Sequence, residues 1–122
     1  TGTLSSGGDF DPGPGVTNLV TIGSTDVYVA KYNATIDLLW AKSFGGTLID
    51  NSFDLSVTNN GVFTVGSFQS SADFDPGFSI LNLISPGGSD GFIQKLDFNG
   101  NFVSAFQLGS IQRLLLWCGL FR

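Results

Sequence analysis

The sequence predicts an all-β protein made of repeated antiparallel meanders. Three observations carry that prediction. Among 122 residues there are 17 Gly and 12 Phe but no Glu and no Met, so strong helix formers are scarce while turn formers and strand formers abound. The chain repeats itself: Asp9-Phe10-Asp11-Pro12-Gly13 returns as Asp73-Phe74-Asp75-Pro76-Gly77, an offset of 64 residues. Apolar runs of strand length are separated by short turn sequences such as Asn59-Asn60-Gly61.

Holding the 64-residue offset without a gap aligns residues 1–46 with 65–110 and gives 14 identities over 46 pairs, among them Asn18/Asn82, Asp26/Asp90, Lys31/Lys95 and Gly45/Gly109. Thr1 to Leu4 matches Val65 to Phe68, which lies inside a strand-like run, so the phase predicts a chain that starts part-way through a unit. Residues 1–46 read as the later part of one repeat and 47–110 as a complete one. Residues 111–122 hold both Arg residues and the single Cys118, contain no Asp, and do not resemble residues 47–58, where the repeat should continue. Two origins fit such a tail: a reading-frame error or cloning scar, or a true terminal strand.

Within the complete unit the elements follow in order. Ser52 to Thr58 alternates, with Phe53, Leu55 and Val57 on one side and Asp54 and Ser56 on the other. Asn59-Asn60-Gly61 predicts a tight turn, because Asn and Gly tolerate positive φ. Val62 to Phe68 reads as the partner strand. After the Asp-Phe-Asp-Pro-Gly loop comes a short apolar run, Ile80 to Ile84, then a strand from Asp90 to Leu96, a hairpin turn Asp97-Phe98-Asn99-Gly100-Asn101, and a strand from Phe102 to Leu108. In the preceding copy Ile36 stands where Gly100 supplies the turn, which predicts a different or looser hairpin there, and Trp40 replaces Ser104. Gly45-Gly46 and Gly87-Gly88 read as turns. A meander of this size has two faces and cannot bury both alone, so units are expected to pack on one another.

Charge and residue usage exclude several functions. Ten Asp oppose five basic residues, a net charge of −5, which is the wrong sign for a nucleic-acid partner. Without His there is no Ser-His-Asp or Cys-His catalytic set and no imidazole ligand for zinc. No apolar run approaches the roughly 20 residues of a membrane span. One Cys forms no internal disulfide, and Thr1 to Gly8 carries neither the basic nor the apolar region of a signal peptide. Neither glycine pair fits a phosphate-binding loop.

The unit resembles the SBBP-type β-propeller repeats of secreted bacterial surface proteins. The resemblance rests on Asp-Phe-Asp-Pro-Gly, on Gly88-Ser89-Asp90-Gly91-Phe92-Ile93-Gln94-Lys95-Leu96-Asp97, on the Asn99-Gly100 turn with Phe102 to Phe106, and on the strand–turn–strand of Asp50 to Phe68. It covers residues 1–110. It implies four-stranded antiparallel blades arranged radially in a ring, of which this chain holds fewer than two, and an extracellular or cell-surface location. It carries over no catalytic residues. A ring needs roughly four to eight blades, so the chain is expected either to belong with further repeats of a longer protein or to self-associate.

Asp9, Asp11, Asp73 and Asp75 are the sharpest site candidates. Two carboxylates separated by one residue and followed by Pro-Gly suit a hard cation such as Ca²⁺, which takes six to eight oxygen ligands. The preferred reading is an Asx turn in which each carboxylate caps backbone N–H groups, with Phe10 and Phe74 as plugs between blades, and a Ca²⁺ site is the alternative. No other cofactor is indicated. Asp26 and Asp90 read as caps at loop-to-strand junctions, and Lys31 and Lys95 as exposed or paired with a neighbouring Asp. Asn33-Ala34-Thr35 fits a glycosylation sequon in an exposed turn. Tyr28, Tyr32, Trp40, Phe92, Phe102 and Phe106 recur at strand spacing and read as core rather than as a sugar-stacking surface. The function expected from all this is a non-enzymatic scaffold that binds carbohydrate, protein or cell surface. The competing readings are a blade of a polysaccharide-active propeller enzyme, whose paired Asp would do acid–base work, and an inactive gene fragment.

Overall fold

A computed structural model describes residues 1–109, and the tail of 111–122 lies outside the described residues. The described residues form nine strands and no helix: β1 (Gly2–Leu4), β2 (Gly8–Asp9), β3 (Asn18–Leu19), β4 (Asp26–Tyr32), β5 (Leu38–Gly46), β6 (Asn51–Thr58), β7 (Gly61–Asp73), β8 (Asn82–Leu96) and β9 (Phe102–Leu108). All strand pairs are antiparallel. They run in the order β1-β4-β5-β7-β8-β9, with β6 also on β7 and with β2-β3 forming a separate ribbon.

The repeat seen in the sequence is a repeat of register. Gly2 faces Tyr28 as Gly66 faces Phe92, and Asp9 faces Asn18 as Asp73 faces Asn82. Ala30 faces Ala41 as Gln94 faces Ala105, with a bulge after Lys31 in one unit and after Lys95 in the other. The second unit adds β6, so its sheet is β6-β7-β8-β9, a four-stranded antiparallel meander.

Two strands are longer than the sequence suggested. β7 runs on to Asp73, and residues 82–84 of the apolar run join the strand at 90–96 as the single strand β8. Gln69 pairs with Ser89 and Ser71 with Ile84, so residues 85–88 bulge out of the ladder opposite Ser70, which takes a φ of 59°. Gly87-Gly88 thus forms part of a strand bulge rather than a hairpin turn. Gly45-Gly46 is not a turn either. It is the end of β5, paired with Asp73 and Ala72 of β7. The lack of side chains there permits a close approach, since a Cβ on Gly46 would collide with the carbonyl of Ser71.

The two hairpins between their third and fourth strands are alike, against expectation. Ile36 N–H donates to Asn33 O at 3.1 Å as Gly100 N–H donates to Asp97 O at 3.1 Å, and Ile36 is held at a φ of 66°. Asn33 explains why the turn survives a β-branched residue. Its Oδ1 accepts the N–H groups of Thr35 and Asp37, at 3.0 and 2.9 Å, and closes the turn whatever stands at position 36. At Asn59-Asn60 the turn is where the sequence put it, but the positive φ falls on Gly61 alone.

One core joins the two units. Val27, Val29 and Phe44 come from the first, and Val62, Phe68, Ala72, Phe74, Phe92 and Leu96 from the second. Side chains alternate across a strand, so Val27 and Val29 of β4 and Phe92 and Leu96 of β8 occupy opposite faces of equivalent strands. One face of the first sheet is therefore buried against the other face of the second. Phe44 reaches across this joint, its ring 5.6 Å from Phe74 and 5.7 Å from Phe92. At the other end of the joint Gly100 rests on the Trp40 indole, whose Nε1 donates to Phe98 O at 3.0 Å.

Candidate functional site

The repeated Asp loops are built the same way twice. Asp9 Oδ1 accepts the N–H groups of Asp11 and Thr17 at 3.0 and 2.8 Å, and Asp73 Oδ1 accepts those of Asp75 and Leu81 at 3.0 and 2.9 Å. Asp11 and Asp75 each accept the N–H of the following Gly at 2.8 Å. The Thr17 bond, then the Asp11 bond, holds the exposed Asp9 carboxyl below the ordinary carboxylate range. One oxygen of each of the four sequence candidates is thus engaged by backbone within its own loop. Asp9 and Asp73 lie in separate units, and among the described residues no three His, Cys, Asp or Glu side chains stand together as a metal set.

The loops differ in what holds their phenylalanines. Phe74 is 1% exposed, lies against Phe44, Phe68 and Phe92, and has its carbonyl held by Gln94 Nε2 at 2.7 Å. Phe10 meets the ring of Tyr28, at 4.7 Å, and its carbonyl is held by Tyr32 Oη at 2.9 Å. Phe74 plugs the joint between units, whereas Phe10 caps a half-open face.

Other sequence readings need correction. Lys31 Nζ donates to Phe98 O at 3.1 Å, and the ammonium groups of Lys31 and Lys95 lie over the rings of Phe98 and Phe63, so their contacts are with carbonyl and aromatic groups rather than with Asp. Phe106 is 64% exposed and Tyr32 is also exposed, so these two aromatics are not core. Asn33, the sequon residue, is in an exposed turn but has its amide group committed to Asp37 at 2.9 Å.

The most unusual electrostatics occur at a pair the sequence did not join. Asp26 opens β4, and Asp50 ends the link 47–50 between the units. Both are 1% exposed. The link is pinned beside β4 by Asp50 N–H to Thr25 O at 3.0 Å, by Thr25 Oγ1 to Asp50 O at 3.1 Å, and by a parallel bridge from Thr25 to Ile49. Asp26 Oδ2 accepts the Ile22 N–H at 2.9 Å and Asp50 Oδ2 accepts the Gly46 N–H at 2.7 Å. The Oδ1 atoms of both are buried without a hydrogen-bond partner. Burial raises both carboxyls against the pull of the Ile22 and Gly23 N–H groups on Asp26 and of the Gly46 and Gln69 N–H groups on Asp50, and Asp50, which also feels the Asp26 charge, is raised to about 6. Asp26 does cap its loop, as the sequence suggested. Asp50 gave no sequence signal, since it becomes a partner of Asp26 only when the link folds back. In the second unit Asp90 lies inside β8, paired with Phe68, rather than at a loop-to-strand junction; it is answered by Gln107 Nε2, and Ser43 holds the place of Gln107 in the first.

The chain matches no family model, no curated protein and no solved structure.

Proposed function

We propose that this chain is a stretch of a β-propeller of the SBBP type, a rigid acidic scaffold of the cell exterior or bacterial surface that holds binding surfaces for glycan or protein and does no chemistry itself. One observation carries the reading: one face of the first sheet packs on the opposite face of the second, with the register of the two units in step. A joint of that kind is heterologous, and repeating it adds units in one direction until a ring closes. The face equivalent to Phe92 and Leu96 is represented in the first unit by Tyr28 and Tyr32, which are half-buried and exposed. It is the face another copy of the joint would cover. Identical Asp loops in both units also favour a scaffold, because a catalytic site normally breaks the symmetry of its repeats.

Sedimentation velocity of the 122-residue chain across a concentration series tests this. Self-association that rises with concentration, and is lost in Tyr28→Lys without loss of the β-sheet circular dichroism, is the expected result. A compact monomer at every concentration would overturn the proposal that the free face is a docking face.

A further inference from the structure

Asp26 and Asp50 are two carboxylates taken out of water without a cationic partner among the described residues. Each has Oδ2 on a backbone N–H and a second N–H drawn to the carboxyl, that of Gly23 for Asp26 and that of Gln69 for Asp50, while neither buried Oδ1 has a partner at full hydrogen-bonding geometry. They converge on Gly45: a Cβ there would stand 2.8 Å from Asp26 Oδ1 and 2.6 Å from Asp50 Oδ2. Only a glycine leaves room for both groups. The carbonyls of Gly46 and Thr47 lie against Gly23, in the loop that caps Asp26. Asp50 N–H to Thr25 O and Thr25 Oγ1 to Asp50 O tie the backbone on either side of the two acids.

Burying two like charges is strongly unfavourable unless something neutralises them. A proton shared between them is a partial answer. The Asp50 oxygen that meets Asp26 Oδ1 beside Gly45 is Oδ2, which already holds the Gly46 N–H, so a proton placed there leaves Asp50 Oδ1 unsatisfied. A hard divalent cation beside Gly45 neutralises both carboxylates and gives the orphaned Asp26 Oδ1 a partner it shares with Asp50.

We propose that Asp26 and Asp50 are the carboxylate ligands of a hard divalent cation, Ca²⁺ by the all-oxygen character of the corner, which staples the link 47–50 to the start of β4 at the joint between the two units. Backbone carbonyls and water complete its shell. The ion ties together segments 24 residues apart, so its binding energy adds to the stability of the joint. This staple is separate from the exposed Asp-Phe-Asp-Pro-Gly loops, and it does not depend on ring formation.

The test uses the full chain stripped with chelator, with thermal melting followed in Ca²⁺ or Mg²⁺ and Tb³⁺ luminescence as a direct probe of binding. Expected are a saturable rise of several degrees in Tm with Ca²⁺ in the range of about 10 µM to 1 mM, and a Tb³⁺ signal that Ca²⁺ competes away. Asp26→Asn and Asp50→Asn should each abolish both. Asp50→Asn should also melt no lower than the stripped parent, because it removes the buried repulsion, so loss of binding can be told from loss of fold. Asp73→Asn should leave both signals intact. The proposal fails if Ca²⁺ up to about 10 mM moves neither readout. It fails equally if Asp50→Asn binds as the parent does, or if Asp73→Asn abolishes the signal. A Tm that rises on acidification with no response to cation would assign the pair to a shared proton instead, and would also overturn it.

Discussion

Replacing Ile36 by glycine is expected to stabilise the protein, although it deletes a large apolar side chain. Ile36 sits at a φ of 66°, where a β-branched residue costs about 1–2 kcal/mol. Its side chain is 62% exposed, so little burial is lost. Glycine loses about 0.5–1 kcal/mol through the greater freedom of the unfolded chain. The difference is a net gain of about 0.5–1 kcal/mol. The reciprocal change, Gly100→Ile, puts a branched residue at a φ of 82° and drives its Cβ to within 2.8 Å of the Trp40 indole. Strain and overpacking together should cost about 2–4 kcal/mol. Urea unfolding followed by tryptophan fluorescence measures both through the midpoint, with the slope unchanged. If Ile36→Gly destabilised the protein while Gly100→Ile were neutral, the two hairpins would not share one backbone, and the inference from register to equivalent turns would fail.

Phe74→Ala should cost about 3–5 kcal/mol and Phe10→Ala about 1 kcal/mol, although both stand in the same five-residue motif, because only Phe74 is enclosed by three other rings; denaturant midpoints of the two variants decide it. Gly66→Ala should fail to fold or lose several kcal/mol, since its Cβ would strike Asn51 O and the Phe92 ring, whereas Gly8→Ala meets nothing within 4 Å and should leave the melting temperature within a degree or two. Asp73→Ala removes the acceptor for two loop N–H groups and should cost about 1–2 kcal/mol by the same assay. Asp9, Asp37 and Asp97 have carboxyls held below their ordinary range, Asp9 and Asp97 chiefly by backbone N–H groups and Asp37 by the Thr35 hydroxyl. The stability they contribute is fully present above the unfolded carboxylate range and is lost as pH falls through their lowered folded values. Acid melts should therefore show that loss, and Asp97→Asn, which keeps the acceptor oxygen, should flatten it.

Much of the local structure was legible because it is written in short-range chemistry. The hairpin at 97–101 follows from an Asp that can accept two N–H groups of its own turn and from a Gly that takes the positive φ. β9 runs from Phe102 to Leu108, the span its alternation and flanking turn predict. The strand ends were misread where pairing was not local. Gly45-Gly46 resembles a turn in isolation and becomes strand only because Ala72 and Asp73 lie alongside it. The extension of β8 through Pro86-Gly87-Gly88 has the same cause, since β7 supports a ladder across residues that would otherwise bend.

By itself the sequence determined the class of the fold, the 64-residue period and the turns, because these depend on backbone preferences and on alternation along one strand. Tertiary structure alone decided which of two equivalent residues is core. Phe10 and Phe74 are the same residue in the same loop, and Asp26 and Asp90 hold equivalent places in the repeat. Yet Phe74 is sealed by Phe44 from the neighbouring unit, and Asp26 is confronted by Asp50 from the link that follows β5. Burial and charge coupling depend on what stands across the joint. A repeat that is nearly symmetrical in sequence says nothing about which of its faces has been covered.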